Sequence, residues 1–247
     1  MKISYYNQLA EDYNRKRQKP WKALEEFLYN IEFKKLTSPR YCLDIGCGNG
    51  RNFPLISLNS HHIVGIDNSL ELLKRAQENS NTQYKGYPEN YTHIQLILCT
   101  IKSIPIRLNA IGGAFLIAVI HHIKGRNTRR KIMHQIYEII ETNGWLILSV
   151  WRKYQKKYRW YFLKDLMMRI FLPKYKRLQK QTELQEFGDK IVTWTLSKEN
   201  KTYPRFYHFF SYKEAKQLMS NFEIIRMKKL GGSGKKDNFF YFLTKRS

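Results

Sequence analysis

The sequence predicts an α/β fold in which parallel strands alternate with helices. Two segments support this prediction: residues 41–45 lead into a turn with glycine at 46, 48 and 50, and residues 63–66 end in Asp67. Alternating glycines let the backbone approach a ligand, because side chains there would collide with it or forbid the required dihedral angles. An acid at the end of the second strand can accept hydrogen bonds from both ribose hydroxyls. Together they predict a nucleoside site at the carboxyl edge of the sheet.

The residues before the turn predict two helices. Apolar residues at spacings of three and four favour a short amphipathic helix within residues 1–20. A basic segment follows, and Pro20 can occupy the first position of a second helix that runs to about Phe33. Arg17, Lys19 and Trp21 lie between them. From the pattern alone this stretch is equally well a solvated linker with a core tryptophan or a substrate contact.

The middle of the chain predicts further strands. Ser69 can cap a helix to about Asn79, and the continuous apolar run 94–99 predicts a third strand buried on both faces. The most hydrophobic run, residues 114–120, predicts a fourth strand near the centre of the sheet. His121 and His122 follow it, at the edge where active-site residues collect. Adjacent side chains point in different directions, so at most one histidine should face a ligand.

The remaining segments complete the predicted sheet. Residues 127–141 predict a helix ended by Asn143-Gly144, and residues 145–150 predict the fifth strand. After an irregular segment the chain should re-enter the domain at about Tyr203 and form a helix over 211–220. Apolar segments at 222–230 and 239–244 then predict a closing pair of strands. The total is seven strands in a single domain, residues 1–247.

The segment after the fifth strand differs in composition. Between Arg152 and Lys180 there are eleven Lys or Arg, one acid and many aromatic residues. A sheet core does not need such a segment, so residues 152–202 are predicted to be a basic aromatic insertion that binds RNA through cations and ring stacking. The alternative is an amphipathic surface helix that contacts acidic lipid.

Composition favours a polyanionic partner. The formal net charge is +24, with 44 Lys and Arg against 20 Asp and Glu, and such a chain repels itself unless it works beside a polyanion. A general solubility bias is the alternative. Three cysteines are too few for a disulfide framework or a metal site and indicate a reducing cytoplasm. No signal peptide and no apolar run long enough for a bilayer are found, so cytoplasmic localisation with no membrane partner is expected.

The turn beginning at Asp44 matches D-x-G-x-G-x-G and resembles class I S-adenosylmethionine methyltransferases. An unrelated glycine-rich turn is the alternative, which Asp67 at the expected distance disfavours. The resemblance implies a Rossmann-like α/β fold: a seven-stranded, mostly parallel sheet with helices on both faces and a basic insertion after strand 5. It implies S-adenosyl-L-methionine as cofactor, with contacts from Asp44, Gly46, Cys47, Gly48, Asn49, Gly50, Asp67, Asn68, Thr100, Ile101 and Ala118.

Two positions depart from that family. Cys99-Thr100 stands where the family usually has an acid that contacts the adenine amino group, and Ile111-Gly112 replaces a Phe-Asp pair. Thr100 can still accept a hydrogen bond, although an uncharged acceptor is weaker. These departures predict weaker cofactor binding without changing the fold.

Several further motifs resemble one subfamily, the tRNA wobble-uridine carboxymethyl methyltransferases. They are Tyr6–Ala10, Tyr13-Asn14, Arg17–Trp21, Ala118–His122 with Thr128–Arg130, Ser149–Trp151, Arg205–Phe209 and Asp237–Phe240. The resemblance implies methylation of the carboxylate of 5-carboxymethyluridine at the wobble position (U34) in the tRNA anticodon loop. It also implies a possible heterodimer with a small zinc-binding activator protein that covers an apolar strand edge.

The residues suit that chemistry. A carboxylate is ionised near neutrality, so the site needs groups that hold it in line with the methyl donor rather than a general base. By resemblance, the catalytic set is Arg17, His121, Arg205, Tyr207 and His208, and the substrate-binding set is Lys19, Trp21, Trp151, Asp237 and Asn238. Two other functions remain open: a methyltransferase for a small molecule or quinone lipid, and a catalytically silent RNA-binding scaffold.

Overall fold

The computed structural model describes residues 5–29, 31, 39–60, 62–82, 93–199 and 201–245. The described strands are β1 (Tyr41–Ile45), β2 (His62–Asp67), β3 (His93–Leu98), β4 (Ile111–Ile117), β5 (Ile140–Trp151), β6 (Asp189–Thr195), β7 (Thr202–His208), β8 (Phe222–Leu230) and β9 (Asn238–Lys245). Seven of them form one sheet in the order β3-β2-β1-β4-β5-β9-β8. All neighbours from β3 to β5 are parallel, whereas β9 is antiparallel to β5 and β8. The predicted seven-stranded, mostly parallel sheet is confirmed, with β4 at its centre.

Helices cover both faces of this sheet, as predicted. The α-helices of the described chain are α1 (Tyr6–Lys16), α2 (Lys22–Tyr29), α3 (Phe53–Ser57), α4 (Leu70–Thr82), α5 (Arg126–Ile139), α6 (Arg159–Phe171), α7 (Pro173–Gln181) and α8 (Tyr212–Leu218). Apolar side chains of α5 and α8 pack in one core cluster with Leu43 and Ile45 of β1, whereas α2, α3 and α4 pack in another with Cys42. Successive side chains of a strand point to opposite faces, so β1 contributes to both cores.

Some helix boundaries differ from prediction. The second helix begins at Lys22, two residues after Pro20, and Phe33 lies outside the described residues. The Ser69 hydroxyl accepts a hydrogen bond from the Leu72 amide at 3.3 Å, so it caps α4 as predicted. That helix continues to Thr82, three residues further than predicted.

Two strand predictions are wrong. β3 is an edge strand, and none of its side chains is fully buried in the described chain. Its apolar sequence indicated two covered faces but could not indicate its position in the strand order.

β5 begins at Ile140, directly after α5. The ladder with β4 shifts register before Trp145, and Asn143 has a φ of +67° there, so Asn143-Gly144 lies in a bulge instead of ending the helix.

The segment after β5 forms α6, α7 and the β6–β7 hairpin. The hairpin pairs Asp189–Thr195 with Thr202–His208. The predicted end of the insertion, at residue 202, therefore falls inside a single structural unit. Phe162 of α6 packs with Tyr207 and Phe209, and Trp194 of β6 packs with Leu9 of α1. These contacts attach the segment to the domain near the carboxyl edge of the sheet. Its proposed RNA-binding role remains a prediction.

Candidate active site

A cavity of about 550 Å³ lies at the carboxyl ends of the central strands. Its wall includes the turn after β1, the end of β2, the segment after β4 and the end of β5, together with side chains of α1 and the β6–β7 hairpin. The order of the sheet places β2 on one side of β1 and β4 on the other. The chain that follows β1 therefore leads to one side of the sheet, and the chain that follows β4 leads to the other. Between two connections that diverge in this way a crevice opens, where ligands bind in folds of this kind. The volume suits a small organic ligand.

The glycine turn forms one wall of this cavity. Gly46 and Gly48 have φ values of +73° and +58°, in the left-handed region that favours glycine. The amides of Gly46 and Cys47 donate to the Ile66 carbonyl at 2.7 and 3.0 Å, which ties the turn to β2. A Cβ at Gly46 would lie 2.4 Å from Val119 Cγ2, so the turn has no room for a side chain there.

We expect Gly46→Ala to lower the free energy of unfolding by about 2–4 kcal/mol, from left-handed strain plus overpacking against Val119. Gly48→Ala is a matched control, since Gly48 has a φ of +58° but its Cβ would meet nothing nearer than Tyr13, at 3.7 Å. That variant should show the strain alone, about 1–2 kcal/mol. Urea unfolding measures the free energy of unfolding of both variants. An equal decrease in the two would contradict the role of Val119.

Asp67 lies at the floor of the cavity and is held by the backbone. Its Oδ2 accepts from the Gly48 amide at 3.0 Å and its Oδ1 accepts from the Ser69 amide at 2.9 Å. Burial raises the pKa of this carboxyl, and the amide hydrogen bonds oppose the shift. Each oxygen keeps further acceptor capacity for the two hydroxyls of a ribose. The glycine turn, this fixed carboxylate and the cavity volume therefore fit an S-adenosylmethionine molecule.

Asp44 lies behind the turn rather than in the cavity wall. It is buried, and its Oδ2 has no hydrogen-bond partner among the described residues. Burial, followed by the charge of Asp67, raises the pKa of Asp44 to about 7, while Arg51 opposes the rise. The ligand-free chain therefore carries a carboxyl whose ionisation is unfavourable in the folded state.

Asp44→Asn should change the dependence of stability on pH. A raised folded-state pKa contributes stability below the unfolded value, near 4, that is lost as pH rises through about 7. We expect the melting temperature of the cofactor-free wild type to fall relative to the variant between pH 5 and pH 8. Thermal unfolding at several pH values tests this, and a pH-independent difference would contradict it.

Helix α1 closes the cavity through asparagines. Asn7 Oδ1 accepts from Ser69 Oγ at 2.7 Å, at the start of α4. Asn14 Oδ1 accepts from the side-chain amides of Asn49 and Asn79, at 2.7 and 2.9 Å. Tyr13 therefore lies against the glycine turn, 3.7 Å from where a Gly48 Cβ would stand. No pattern within one segment predicts this closure, because its partners lie in separate segments.

An aromatic cluster forms the opposite part of the wall. The ring of His121 stacks on Tyr207 with centroids 5.1 Å apart and lies 5.5 Å from Trp151. His122 also lines the cavity, so the expectation that at most one histidine faces it is wrong. A short 3₁₀ turn over Ile120–His122 replaces extended backbone there, so consecutive side chains are about 120° apart instead of on opposite faces, and both rings can reach one cavity.

Both imidazoles are neutral. Burial, and then unfavourable electrostatic interaction with the neighbouring His122 and Arg205, hold the pKa of His121 well below its usual range, and neither ring nitrogen has a partner among the described residues. Burial lowers the pKa of His122 to about 3, although a hydrogen bond with the Phe206 carbonyl opposes this. The histidines therefore shape the cavity without adding positive charge.

Three arginines bring positive charge to the cavity: Arg17, Arg51 and Arg205. Arg205 is 8% exposed, and its guanidinium lies 4.7 Å from the Trp194 ring and 5.1 Å from the Tyr207 ring. No arginine of this set pairs with a carboxylate in the described parts of the chain. Burial, and then the charges of Arg51 and Arg205, lower the pKa of Arg17, which reflects this crowding of cations.

Most other predicted site residues lie in the cavity wall. They are Gly46, Cys47, Gly48, Asp67, Asn68, Ile101, Ala118, Trp21, Trp151, Asp237 and Asn238. Among the wall residues that sequence reasoning did not assign to the site are Tyr6, Tyr13, Arg51 and Trp194. Arg51 directly follows the glycine turn and could have been found there. Trp194 is in the segment that the sheet did not require, so no sequence pattern connected it with the site.

Six predicted residues lie outside the wall: Asp44, Asn49, Gly50, Thr100, Lys19 and His208. His208 is buried, and its Nδ1 pairs with Asp189 Oδ1 at 2.7 Å. Side chains alternate along β7, so Tyr207 faces the cavity and His208 faces away; the prediction that His208 contacts the substrate is wrong. Asn49 supports α1, and Lys19 is exposed. Gly112 packs against Pro39 and does not line the cavity, so that departure from the family pattern is remote from the ligand.

Comparison with known proteins defines the class. Residues 43–148 match the family model described as a methyltransferase domain. An S-adenosylmethionine-dependent methyltransferase from Methanosarcina mazei has the same fold, with a TM-score of 0.68 at 22% identity over 88% of this chain and 98% of that one. Together with the glycine turn and Asp67, these matches show a methyltransferase domain over residues 43–148, in a chain that has the fold of class I methyltransferases and S-adenosylmethionine as its cofactor.

The similarity is more specific in sequence. A Schizosaccharomyces pombe protein, tRNA (carboxymethyluridine(34)-5-O)-methyltransferase, is 27% identical over 214 residues, which are 87% of this chain and 84% of that protein. The mouse protein of that name, ALKBH8, is 26% identical over 152 residues, which are 61% of this chain and 20% of the mouse protein. This methyltransferase thus resembles the tRNA carboxymethyluridine methyltransferases, as its motifs indicated. In the described ranges, no His, Cys, Asp and Glu cluster could hold a metal, and no helix could span a membrane.

Proposed function

We propose that this protein methylates the carboxylate of 5-carboxymethyluridine at the wobble position (U34) of tRNA, forming a methyl ester. The observation that carries the proposal is Arg205, a buried guanidinium in the cavity wall without a carboxylate partner among the described residues. A buried cation is costly unless an anion pairs with it. A substrate carboxylate would supply that anion.

The surroundings of Arg205 make a carboxylate the fitting anion. The planar guanidinium can bind both oxygens or hold one while the other is free. Arg17 and Arg51 line the same cavity, so the field around the substrate is positive. The named function of the S. pombe and mouse relatives supports the same substrate.

The reaction needs positioning more than proton transfer. S-adenosylmethionine, when bound, supplies an electrophilic methyl group on a sulfonium. The carboxylate is already ionised near neutrality, so no base has to activate it. Arg205 and Arg17 orient the carboxylate, and the aromatic cluster of His121, Trp151 and Tyr207 excludes water. The neutral histidines agree with a site that transfers no proton.

The remaining groups would receive the nucleotide and the tRNA. Trp151 and Trp21 line the cavity and are the candidates for stacking on the uracil. Lys157 and Tyr158 also line it and begin the basic segment that leads to α6. The net charge of +24 would attract the anticodon-stem phosphates. These residues extend the site from a small pocket to a surface for a folded polyanion, and cytoplasmic tRNA is the proposed pool.

The test is methyl transfer to two synthetic anticodon stem-loops, one with 5-carboxymethyluridine and one with unmodified uridine at U34. We expect transfer to the first only, giving an alkali-labile product because it is an ester. Binding of the first stem-loop should weaken steeply with salt. A product stable to alkali, or equal transfer to both, would overturn the proposal. Calorimetry with S-adenosylmethionine distinguishes a catalytically silent scaffold, which would show no binding.

A small activator protein remains part of the proposal. Among the described residues, β3 has a neighbouring strand on one side only, and its Leu98 is exposed. An apolar sheet edge of this kind is suited to pairing with another chain. Stem-loop methylation by this chain alone, at a rate unchanged by added zinc-binding activator, would remove the activator from the proposal.

A further inference from the structure

Helix α6 has an apolar face that no part of the described chain covers. Five apolar residues make up this face. They are three, four, three and one residues apart in the sequence, which places their side chains in a stripe about 100° wide along the helix. The stripe consists of Trp160, Leu163, Met167, Ile170 and Phe171. All five are exposed, with Trp160, Ile170 and Phe171 at 69%, 60% and 66%.

The stripe is not the face that holds α6 to the domain. Phe162 and Asp165 are buried on the opposite side, where Phe162 packs with Phe209 and Asp165 bonds Arg169 and Tyr175. The fold therefore uses one side of the helix and leaves a second apolar side free. A soluble domain seldom exposes a contiguous apolar surface of this kind without a partner.

Cations border the stripe. Arg159 and Lys164 fall at its two edges on the helix, and α7 adds four exposed ones: Lys174, Lys176, Arg177 and Lys180. The one acid between Arg152 and Gln181 is Asp165, which is buried and paired. The surface around the stripe is thus positive, and its partner must offer both apolar and anionic groups.

We propose that the stripe binds the surface of a lipid bilayer that carries anionic headgroups. Leu163, Met167 and Ile170 would enter the boundary of the acyl region, and the bordering lysines and arginines would contact lipid phosphates. A second copy of this chain fits less well, because two positive borders would repel. An RNA surface would satisfy the cations but leave the aliphatic side chains uncovered. Such contact is peripheral, at the surface of the bilayer.

This inference is independent of the proposed reaction, and its test uses neither cofactor nor tRNA. The full-length protein is sedimented with vesicles of equal parts phosphatidylcholine and phosphatidylserine, and with phosphatidylcholine alone. We expect binding to the mixed vesicles only. Leu163→Ser/Ile170→Ser leaves net charge unchanged and should weaken vesicle affinity about tenfold or more.

A matched control removes exposed leucines elsewhere. Leu58 and Leu108 are 65% and 64% exposed, so Leu58→Ser/Leu108→Ser deletes similar apolar surface outside the stripe and should leave vesicle affinity unchanged. Equal losses in both double variants, or no binding by the wild type, overturn the inference. If Leu163→Ser/Ile170→Ser lost tRNA affinity while its vesicle binding stayed intact, the stripe would be assigned to RNA binding. If the same double variant had a lower oligomeric mass than the wild type, the stripe would be assigned to contact with a second copy of the chain.

Discussion

Asp67→Ala is expected to weaken binding of S-adenosylmethionine by about 100-fold or more, since two charge-assisted hydrogen bonds of about 1.5–3 kcal/mol each are at stake. Asp67 also accepts from the Gly48 and Ser69 amides, so its loss frees the glycine turn as well as the ribose hydroxyls. The proposed tRNA surface lies on other elements, and stem-loop affinity should stay within about twofold of the wild type. Isothermal titration calorimetry measures the first quantity and fluorescence anisotropy the second.

Glu71→Ala is the matched control for charge. Glu71 is an exposed acid on α4 whose ion pair with Lys74 is itself exposed, so its removal makes the same change in net charge without touching the cavity. Cofactor affinity should be unchanged. Unfolding of each cofactor-free variant shows whether it remains folded. Simultaneous loss of cofactor and stem-loop binding in folded Asp67→Ala would contradict separate sites.

Arg205→Met is expected to have opposite effects on activity and stability. Without the guanidinium the substrate carboxylate loses its buried partner, and kcat/KM for the stem-loop should fall by about 100-fold or more, from a loss of about 2–5 kcal/mol. In the free protein the same change removes a buried cation that lacks a carboxylate partner in the described structure. The free energy of unfolding should therefore rise, by about 1–3 kcal/mol. Cofactor affinity should be close to the wild-type value.

Arg107→Met serves as the control, because Arg107 is exposed in the loop before β4 and does not line the cavity. It should alter neither stability nor kcat/KM. Arg205→Lys adds a second comparison: a point charge without the planar fork should recover part of the activity. If Arg205→Met lost stability and activity together, Arg205 would be a structural residue and the carboxylate assignment would fail.

The cofactor half of the site was predictable because its signal is local. Three glycines within five residues, and one acid at the end of the next strand, are constraints that neighbouring residues impose on one another. Their function depends on a single turn and the strand beside it. The substrate half depends on contacts between distant segments, such as Arg205 with Trp194 and His122 with Tyr6. Composition and spacing do not encode such contacts, so resemblance found some of these residues and missed Trp194.

Alternation along a strand explains the error at His208. The motif Arg205–Phe209 includes residues on both faces of β7, and only the fold shows that Arg205 and Tyr207 face the cavity while His208 pairs with Asp189. The same limitation applied to β3, whose apolar sequence suits a buried strand although it lies at the sheet edge.

The sequence by itself determined the α/β class, the glycine turn, the ribose acid and the strong positive charge, since each follows from short-range pattern or composition. Tertiary structure alone decided that α1 closes the cavity, that Arg205 is buried without a carboxylate partner in the described chain, and that α6 presents an uncovered apolar face. These features arise from the packing of segments far apart in the chain. Burial and pairing are properties of the folded arrangement, and a side chain's type does not fix them.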